Sequence, residues 1–526
     1  MRDFQNPGRS PVYAANGMCA TSHPLAARTA VRILEDGGNA VDAAIAGAVL
    51  LGFCEPQSTG LGGDCFALVK LPNEENIISI NGSGRAPAAT NPNSLREAGK
   101  TCLDEYQPES ITIPGAVDAF CRLEEDYGKM GMEGVLAPAI KYAREGIPVS
   151  PRVGYDWQNS KDVLQGKARN YYLLDGQVPS LGTLFRAPKQ AEVLERIVRE
   201  GRDGFYLGEV AEDMTDSLKS WGGVHTLEDF ANNSPKYTQV IASTYKDHEV
   251  IEQPPNGQGA MALLLLNILK NFNLESLDPF GPERTHIEIE AGKLAMDARN
   301  RFIADMDYTS RLDHLLSQET ADLLASKISM NEVNTDIHKI TESVHKDTIY
   351  ITVVDADRMA VSLIYSIFHG FGSGITSEKF GILLHNRGAG FNLTEGHPNE
   401  IGPGKRPMHT IIPAMLRHNG KMIMPFGVMG GQYQAVGHAR FLTNMVDYGF
   451  DPQIALDGPR SFFEENTSLL ERGYSNATIR ALEALGHQVA IPPSPHGGGQ
   501  AILIDYDKGS LMGASDPRKD GCAIGY

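Results

Sequence analysis

An α+β fold is predicted for this chain by three observations. Residues 24–53 carry helical periodicity broken by paired glycines, residues 348–354 alternate with the period of a strand, and the remainder after residue 348 is a succession of short β runs set among helices. No internal repeat or low-complexity tract competes with that class.

The elements follow in order. In TSHPLAARTAVRILEDGGNAVDAAIAGAVLLGF a helix is expected from about Pro24 to Asp36 and is stopped by Gly37-Gly38; a second is capped near Asn39, with Val41, Ala44, Ile45, Ala48 and Val49 on one face. GLGGDCF leads into a strand around Phe66 to Leu71, and another is expected near Ile77 to Ile80, ending in NGSGRAPAAT. The span from about Ile113 to Asp313 reads as mainly helical, with EQPPNGQGA at Glu252 to Ala260 as its clearest turn-rich interruption. Met330 to Lys346 is polar and lacks strong periodicity, as expected of an exposed connection. Beyond it, strands are expected at Ile349 to Val354, Val361 to Phe368, Met422 to Phe426 and Ala501 to Ile504, and helices over Val436 to Tyr448 and Asn476 to Leu485.

A chain of 526 residues exceeds the usual size of one core, so two domains or two intimately packed halves are expected. With 41% hydrophobic and 21% charged residues, the composition excludes a disordered, collagenous or coiled-coil chain. The formal charge of −18 argues against a nucleic-acid partner, since no basic stripe is present to neutralise phosphates. Any anion site must then be a local cluster of Arg, His or backbone N–H groups. The N-terminus lacks the apolar region of a secretory signal, and the longest apolar stretch, Ala40 to Phe53, is interrupted by Asp42 and too short to span a bilayer. No membrane association and a cytoplasmic location are therefore expected. Six cysteines without CxxC spacing read as reduced, mostly buried thiols, and the absence of HExxH or a clustered Cys/His set gives no expectation of a metal.

Thr348, in HKDTIYITVVDADRMAVSLIYSIFHGFGSGI, carries the strongest chemical signal. A cut at the Asp347/Thr348 bond would give one residue both a hydroxyl nucleophile and a free α-amine, whose reference pKa of about 7.7 to 8.0 suits it to act as base near neutrality. Thr348, Tyr350, Thr352 and Val354 share one face of a strand, and a polar turn, Asp355 to Met359, separates it from the apolar run that follows. A hairpin centred on Asp357 places Thr348 opposite Ser366, within reach of a supporting hydrogen bond. An ordinary β-branched strand residue is the alternative reading of Thr348.

With these residues the chain resembles the γ-glutamyltransferase family of N-terminal-nucleophile hydrolases, from about Ala20 to Tyr526. The blocks that carry the resemblance are ILEDGGNAVDAAIAGAV, GLGGDCF, ESITIPGAVDAF, GRDGFYLGEVAEDM, EQPPNGQGA, the Thr348 strand, FGSGI, GILLHNRG, KRPMHTIIPAM, GVMGG and GASDPRKDGCAIGY. The resemblance implies a four-layer αββα sandwich and autocatalytic cleavage between Asp347 and Thr348. It also implies a heterodimer of a larger fragment, 1–347, and a smaller one, 348–526, with a dimer of heterodimers open, and no cofactor. Thr348 matches the nucleophile, Ser366 the supporting hydroxyl, and Gly430-Gly431 the pair whose N–H groups form the oxyanion hole.

Substrate recognition departs from the family. The positions that hold a substrate α-ammonium match Phe368, Arg387 and Gly390 here, so no acceptor remains among them. The paired serines that bind the α-carboxylate become His409-Thr410, and the carboxylate-binding Arg is displaced by two places to Arg85. Three potential cations favour a small anionic amide without an α-amine, and the chain is most similar to the glutathione-hydrolase-like and oxamate-amidohydrolase-like members. Alternatives are a γ-glutamyl substrate, acyl transfer to an amine, and a non-catalytic descendant kept as a binding protein.

Overall fold

The computed structural model describes residue 5 and residues 8–334 and 348–526. The first helix, Pro24–Glu35, starts where the His23 ring accepts from the Leu25 N–H at 3.2 Å. The second, Ala40–Cys54, is closed by a reciprocal capping box in which Asn39 and Asp42 satisfy each other's backbone amides. It is apolar on nearly every side and buried along its whole length, as expected of a helix inside a layered core.

Two seven-stranded sheets form the centre. In sheet I the order is Cys522–Gly525, Met18–Thr21, Ile349–Val354, Ala360–Ser366, Asp64–Lys70, Ile77–Gly82 and Lys236–Thr238. In sheet II it is Val12–Ala14, Ser510–Ser515, Gly498–Asp505, Lys421–Met429, Ala414–His418, His248–Glu252 and Ile241–Tyr245. The two sheets face each other across Met18, Leu68, Val354, Met415 and Ile502, and across Phe66, Tyr350, Ile364, Ile411 and Met429. Helices including Pro24–Glu35, Ala40–Cys54 and Ala116–Tyr127 cover the outer face of sheet I, while Gly259–Leu269, Pro282–Phe302 and Gln434–Val446 cover that of sheet II. Each sheet takes strands from both sides of residue 348, so the two parts of the chain interleave.

Residues 113–313 are mainly helical, as expected, but the pattern did not show the strands within them: Ile147–Pro148 and Leu184–Phe185 pair with each other, and three more, Lys236–Thr238, Ile241–Tyr245 and His248–Glu252, join the central sheets. These three are short and polar, and two lie at sheet edges, where one face needs no apolar residues. The thiols also need correction: Cys19, Cys54 and Cys65 are buried, Cys121 and Cys522 are half-buried, and Cys102 is exposed; all six are free. Among the described residues no helix is long and apolar enough to cross a membrane.

The sheets approach closely at Gly427, where an added Cβ would lie 2.4 Å from the Tyr350 ring. Gly427→Ala is therefore expected to lower stability by about 1–3 kcal/mol through overpacking, measured as a reduced urea midpoint at unchanged m-value.

Candidate active site

The Ile349–Val354 and Ala360–Ser366 strands pair with Ile349 opposite Tyr365 and Val354 opposite Ala360. Continued by one residue, this register sets Thr348 opposite Ser366, and the two Oγ atoms are 3.3 Å apart. Ser366 Oγ also accepts from the Phe368 N–H at 2.9 Å. On its other side Ser366 is paired with Asp64. Directly opposed residues project to the same face, so Thr348, Ser366 and Asp64 form one row across three strands. The adjacent row is Tyr350, Ile364 and Phe66, packed against Ile411 and Met429. The chemical row thus borders the apolar contact between the sheets.

Asp64 is fully buried, and its Oδ1 accepts from the Gly84 N–H at 3.0 Å. Around Oδ2 lie His385 Nδ1 at 3.3 Å, His409 Nε2 at 3.3 Å and Arg387 Nε at 3.7 Å, all fully buried. These approaches lack hydrogen-bond alignment, so Oδ2, Arg387 Nε and Nη2, and both His409 nitrogens are without a hydrogen-bond partner among the described residues. Arg387 Nη1 donates to Thr410 Oγ1 at 3.2 Å, and its guanidinium lies 4.2 Å from the Phe368 ring centroid. Burial would raise the Asp64 pKa, but His385, His409 and Arg387 outweigh it and hold the carboxyl well below the usual range. Burial, with Arg387 close by, takes His409 down to about 3. Burial likewise lowers Arg387 to about 10 against the opposing pull of Asp64, and lowers His385.

Gly430 and Gly431 follow the Lys421–Met429 strand with φ of +123° and +56°, two successive positive values that glycine adopts without strain. An added Cβ on Gly430 would meet the Gly497 Cα at 2.7 Å. The EQPPNGQGA loop braces this region. Asn256 O accepts from the His409 N–H at 2.7 Å, while Gln258 Nε2 donates to the carbonyls of Thr410 at 2.6 Å and Gly431 at 3.1 Å. Arg299 in turn donates to Gln258 Oε1 at 2.9 Å.

The structure therefore brings Arg387, His409 and Thr410 together, but not Arg85. The Arg85 side chain donates to the Gly404 carbonyl at 2.7 Å, lies 3.6 Å from Asp305, and is about a third exposed. Its placement as a recognition cation is corrected accordingly. An acidic group from outside the three matched positions, Asp64, does face Arg387. Asp64, His385, Asn256 and Gln258 escaped the sequence pattern; the signal for Asp64 was a lone carboxylate directly before the apolar run Cys65 to Val69 of the strand DCFALVK. Asp347 lies outside the described residues.

Two groups of potential metal ligands converge in space from distant segments, Asp247 with His248 and His418, and His286 with Glu290 and His487. Sequence spacing could not show either. The second is already knit by hydrogen bonds, His286 Nδ1 to His487 Nε2 at 2.8 Å and His487 Nδ1 to Ser468 Oγ at 2.8 Å.

Removing Asp64 would strand a buried guanidinium. Asp64→Ala is expected to destabilise the protein by about 3–5 kcal/mol, and the double variant Asp64→Asn/Arg387→Met to lose less than the sum of its single changes in denaturant unfolding.

Comparison with known proteins places this geometry in context. Residues 26–526 match the family model described as Gamma-glutamyltranspeptidase. The glutathione hydrolase-like YwrD proenzyme of Bacillus subtilis (strain 168) is 34% identical, over 98% of this chain and 99% of its own length. The oxamate amidohydrolase proenzyme of Klebsiella pneumoniae is 31% identical, over 98% of this chain and 99% of its own length. Among solved structures, cephalosporin acylase from Bacillus halodurans aligns with a TM-score of 0.92 at 36% identity, covering 100% of this chain and 99% of that one. A match to the family model across almost the entire chain, with a shared fold, shows that this protein belongs to the gamma-glutamyltranspeptidase family of N-terminal-nucleophile amide hydrolases and transferases.

Proposed function

We propose that the chain is a self-processing amidohydrolase that uses Thr348 as nucleophile and acts on a small amide bearing a carboxylate. The observation that carries this reading is the row of Thr348, Ser366 and Asp64, with the Thr348 and Ser366 hydroxyls 3.3 Å apart and Arg387 beside Asp64. In processing, Thr348 Oγ1 attacks the Asp347 carbonyl, the C–N bond breaks as the acyl group passes from amide to ester and frees the Thr348 amine, and water then hydrolyses the ester to an Asp347 carboxylate and the Thr348 hydroxyl. Fragments 1–347 and 348–526 then remain together as a heterodimer sharing the four-layer αββα sandwich. The proenzyme names of the Bacillus and Klebsiella relatives support this step.

In turnover, Thr348 Oγ1 attacks the substrate amide and its proton passes to the α-amine and on to the leaving amine. The Gly430 and Gly431 amides hold the oxyanion, Ser366 supports the nucleophile, and water hydrolyses the acyl ester. Arg387 and His409, whose buried nitrogens include some without a hydrogen-bond partner among the described residues, and Thr410 would receive the substrate carboxylate. Oxamate, named for the Klebsiella relative, is an amide of this class. A second reading, a γ-glutamyl substrate, is favoured by one observation: the unbonded Asp64 Oδ2 can accept from an α-ammonium.

Purified protein is expected to run as two fragments on a denaturing gel, and Thr348→Ala as one chain; an intact, fully active wild-type chain would refute the processing step. Ser366→Ala should slow processing and turnover roughly ten- to a thousandfold, equivalent to about 1.5 to 4 kcal/mol for a hydrogen bond to a reacting group.

In a screen of glutathione, a γ-glutamyl anilide, a glutaryl anilide and oxamate, the substrates without an amine should show the higher kcat/KM. Arg387→Gln should narrow that preference by about tenfold or more, since a desolvated charge contact is worth on the order of 2–4 kcal/mol. A strong γ-glutamyl preference that Arg387→Gln leaves unchanged would place recognition elsewhere.

A further inference from the structure

The recognition cluster is balanced before any substrate arrives. Asp64 offsets Arg387, and His385 and His409 are neutral, because burial depresses both imidazoles. Among the charged groups around it, Arg406 and Arg85 stand with Asp305 and Asp307, Glu105 lies 3.2 Å from His369 beside Asn386, and burial lowers His225 to about 4. An added substrate carboxylate would leave an uncompensated anion among groups that have no access to water.

The hydrogen bonds of His385 show where the balancing charge can enter. Its Nε2 lies 2.9 Å from the Thr112 carbonyl, which can only accept, so Nε2 carries the hydrogen of the neutral ring. Nδ1 is then a bare acceptor; it receives the Arg387 backbone N–H at 3.3 Å while also facing Asp64 Oδ2 at 3.3 Å. A lone pair turned toward a carboxylate is unfavourable, and a proton placed on Nδ1 would convert it into a donor to Asp64. His409, 3.3 Å from the same oxygen and with neither ring nitrogen hydrogen-bonded among the described residues, is the neighbouring alternative for that proton.

We propose that this site binds a carboxylate-bearing substrate together with one proton, taken up by the His385–His409 pair facing Asp64, which makes Asp64 and His385 specificity-determining residues. This rests on the carboxylate reading of the substrate given above. As Arg387 engages the incoming carboxylate, its compensation of Asp64 weakens and the imidazoles lie between two anions. Their affinity for a proton rises, the free site having bound none. Binding is then favoured at low pH and weakens as pH rises through the imidazole pKa of the complex. Atoms balance as one carboxylate and one solvent proton in, with both returned on product release.

The test compares glutaryl-4-nitroanilide with its analogue ending in a carboxamide on processed wild-type protein, from about pH 6 to about pH 9. The Thr348 amine titrates identically for both and cancels in the ratio of kcat/KM values. That ratio should favour the carboxylate and fall by up to about tenfold per pH unit, the limit for one linked proton. His385→Gln and Asp64→Asn should flatten the slope. Titration calorimetry of glutarate in buffers of different ionisation enthalpy should show uptake of about one proton at neutral pH. A ratio well above one but independent of pH, with no proton uptake, would overturn proton-linked binding while leaving the carboxylate reading standing. A ratio near one throughout would overturn both.

Discussion

The contact between the Tyr350 ring and the bare backbone of Gly427 sets how closely the two sheets approach beside Thr348. A polar stitch reinforces it. Tyr350 OH and Ser362 Oγ are 2.6 Å apart, and Ser362 Oγ accepts from the Ala414 N–H at 3.1 Å across the gap. Strand Lys421–Met429 is thereby held over strand Ile349–Val354, and its continuation, Gly430-Gly431, is carried toward the start of the strand that follows Thr348. Thr348 and the paired glycines lie at the ends of strands in different sheets, so their relation depends on this packing rather than on local sequence.

The same layering governs the electrostatics. A row of polar residues at the border of a dry interface must be satisfied from within, since water is not at hand to pair with it. Asp64 solves part of this with the Gly84 N–H and part with three nitrogenous groups crowded round one oxygen. The arrangement is expensive in desolvation and incompletely hydrogen-bonded among the described residues. Arg387 is accordingly neither a free cation nor a solvent-facing one. Its charge is offset by Asp64, while Nε and Nη2 lack hydrogen-bond partners among the described residues.

Much of this was legible in the sequence where the signal was local. Period-two alternation located Ile349–Val354, and the symmetry of the hairpin gave the Thr348–Ser366 pairing two strands before any tertiary contact is needed. The capped helices at Pro24–Glu35 and Ala40–Cys54 were equally plain, because Asn39 and the Gly37-Gly38 break act within a few residues. Short strands such as Met18–Thr21 and Cys522–Gly525 were not legible, since their small residues are buried by neighbours hundreds of positions away. The charge cluster failed to show for the same reason. Asp64 meets His385, Arg387 and His409 only after three segments fold together, whereas Arg85, near the right place in sequence, turns to Asp305 instead.

Interleaving of the two parts of the chain bears directly on a cut before Thr348. The Ile349–Val354 strand is flanked on one side by Ala360–Ser366, from its own part, and on the other by Met18–Thr21, from the opposite part. Thr21 Oγ1 donates to the Tyr350 carbonyl at 2.7 Å, and beyond Met18–Thr21 lies Cys522–Gly525, from the C-terminal part again. A chain opened at this point would keep every ladder on both sides of the new terminus. The backbone beside Thr348 is fixed by hydrogen bonds and buried apolar contacts rather than by the peptide bond to residue 347, so separating the parts would require dismantling both sheets. The architecture would thus let a covalent bond be given up before Thr348 without loosening the strand that follows it.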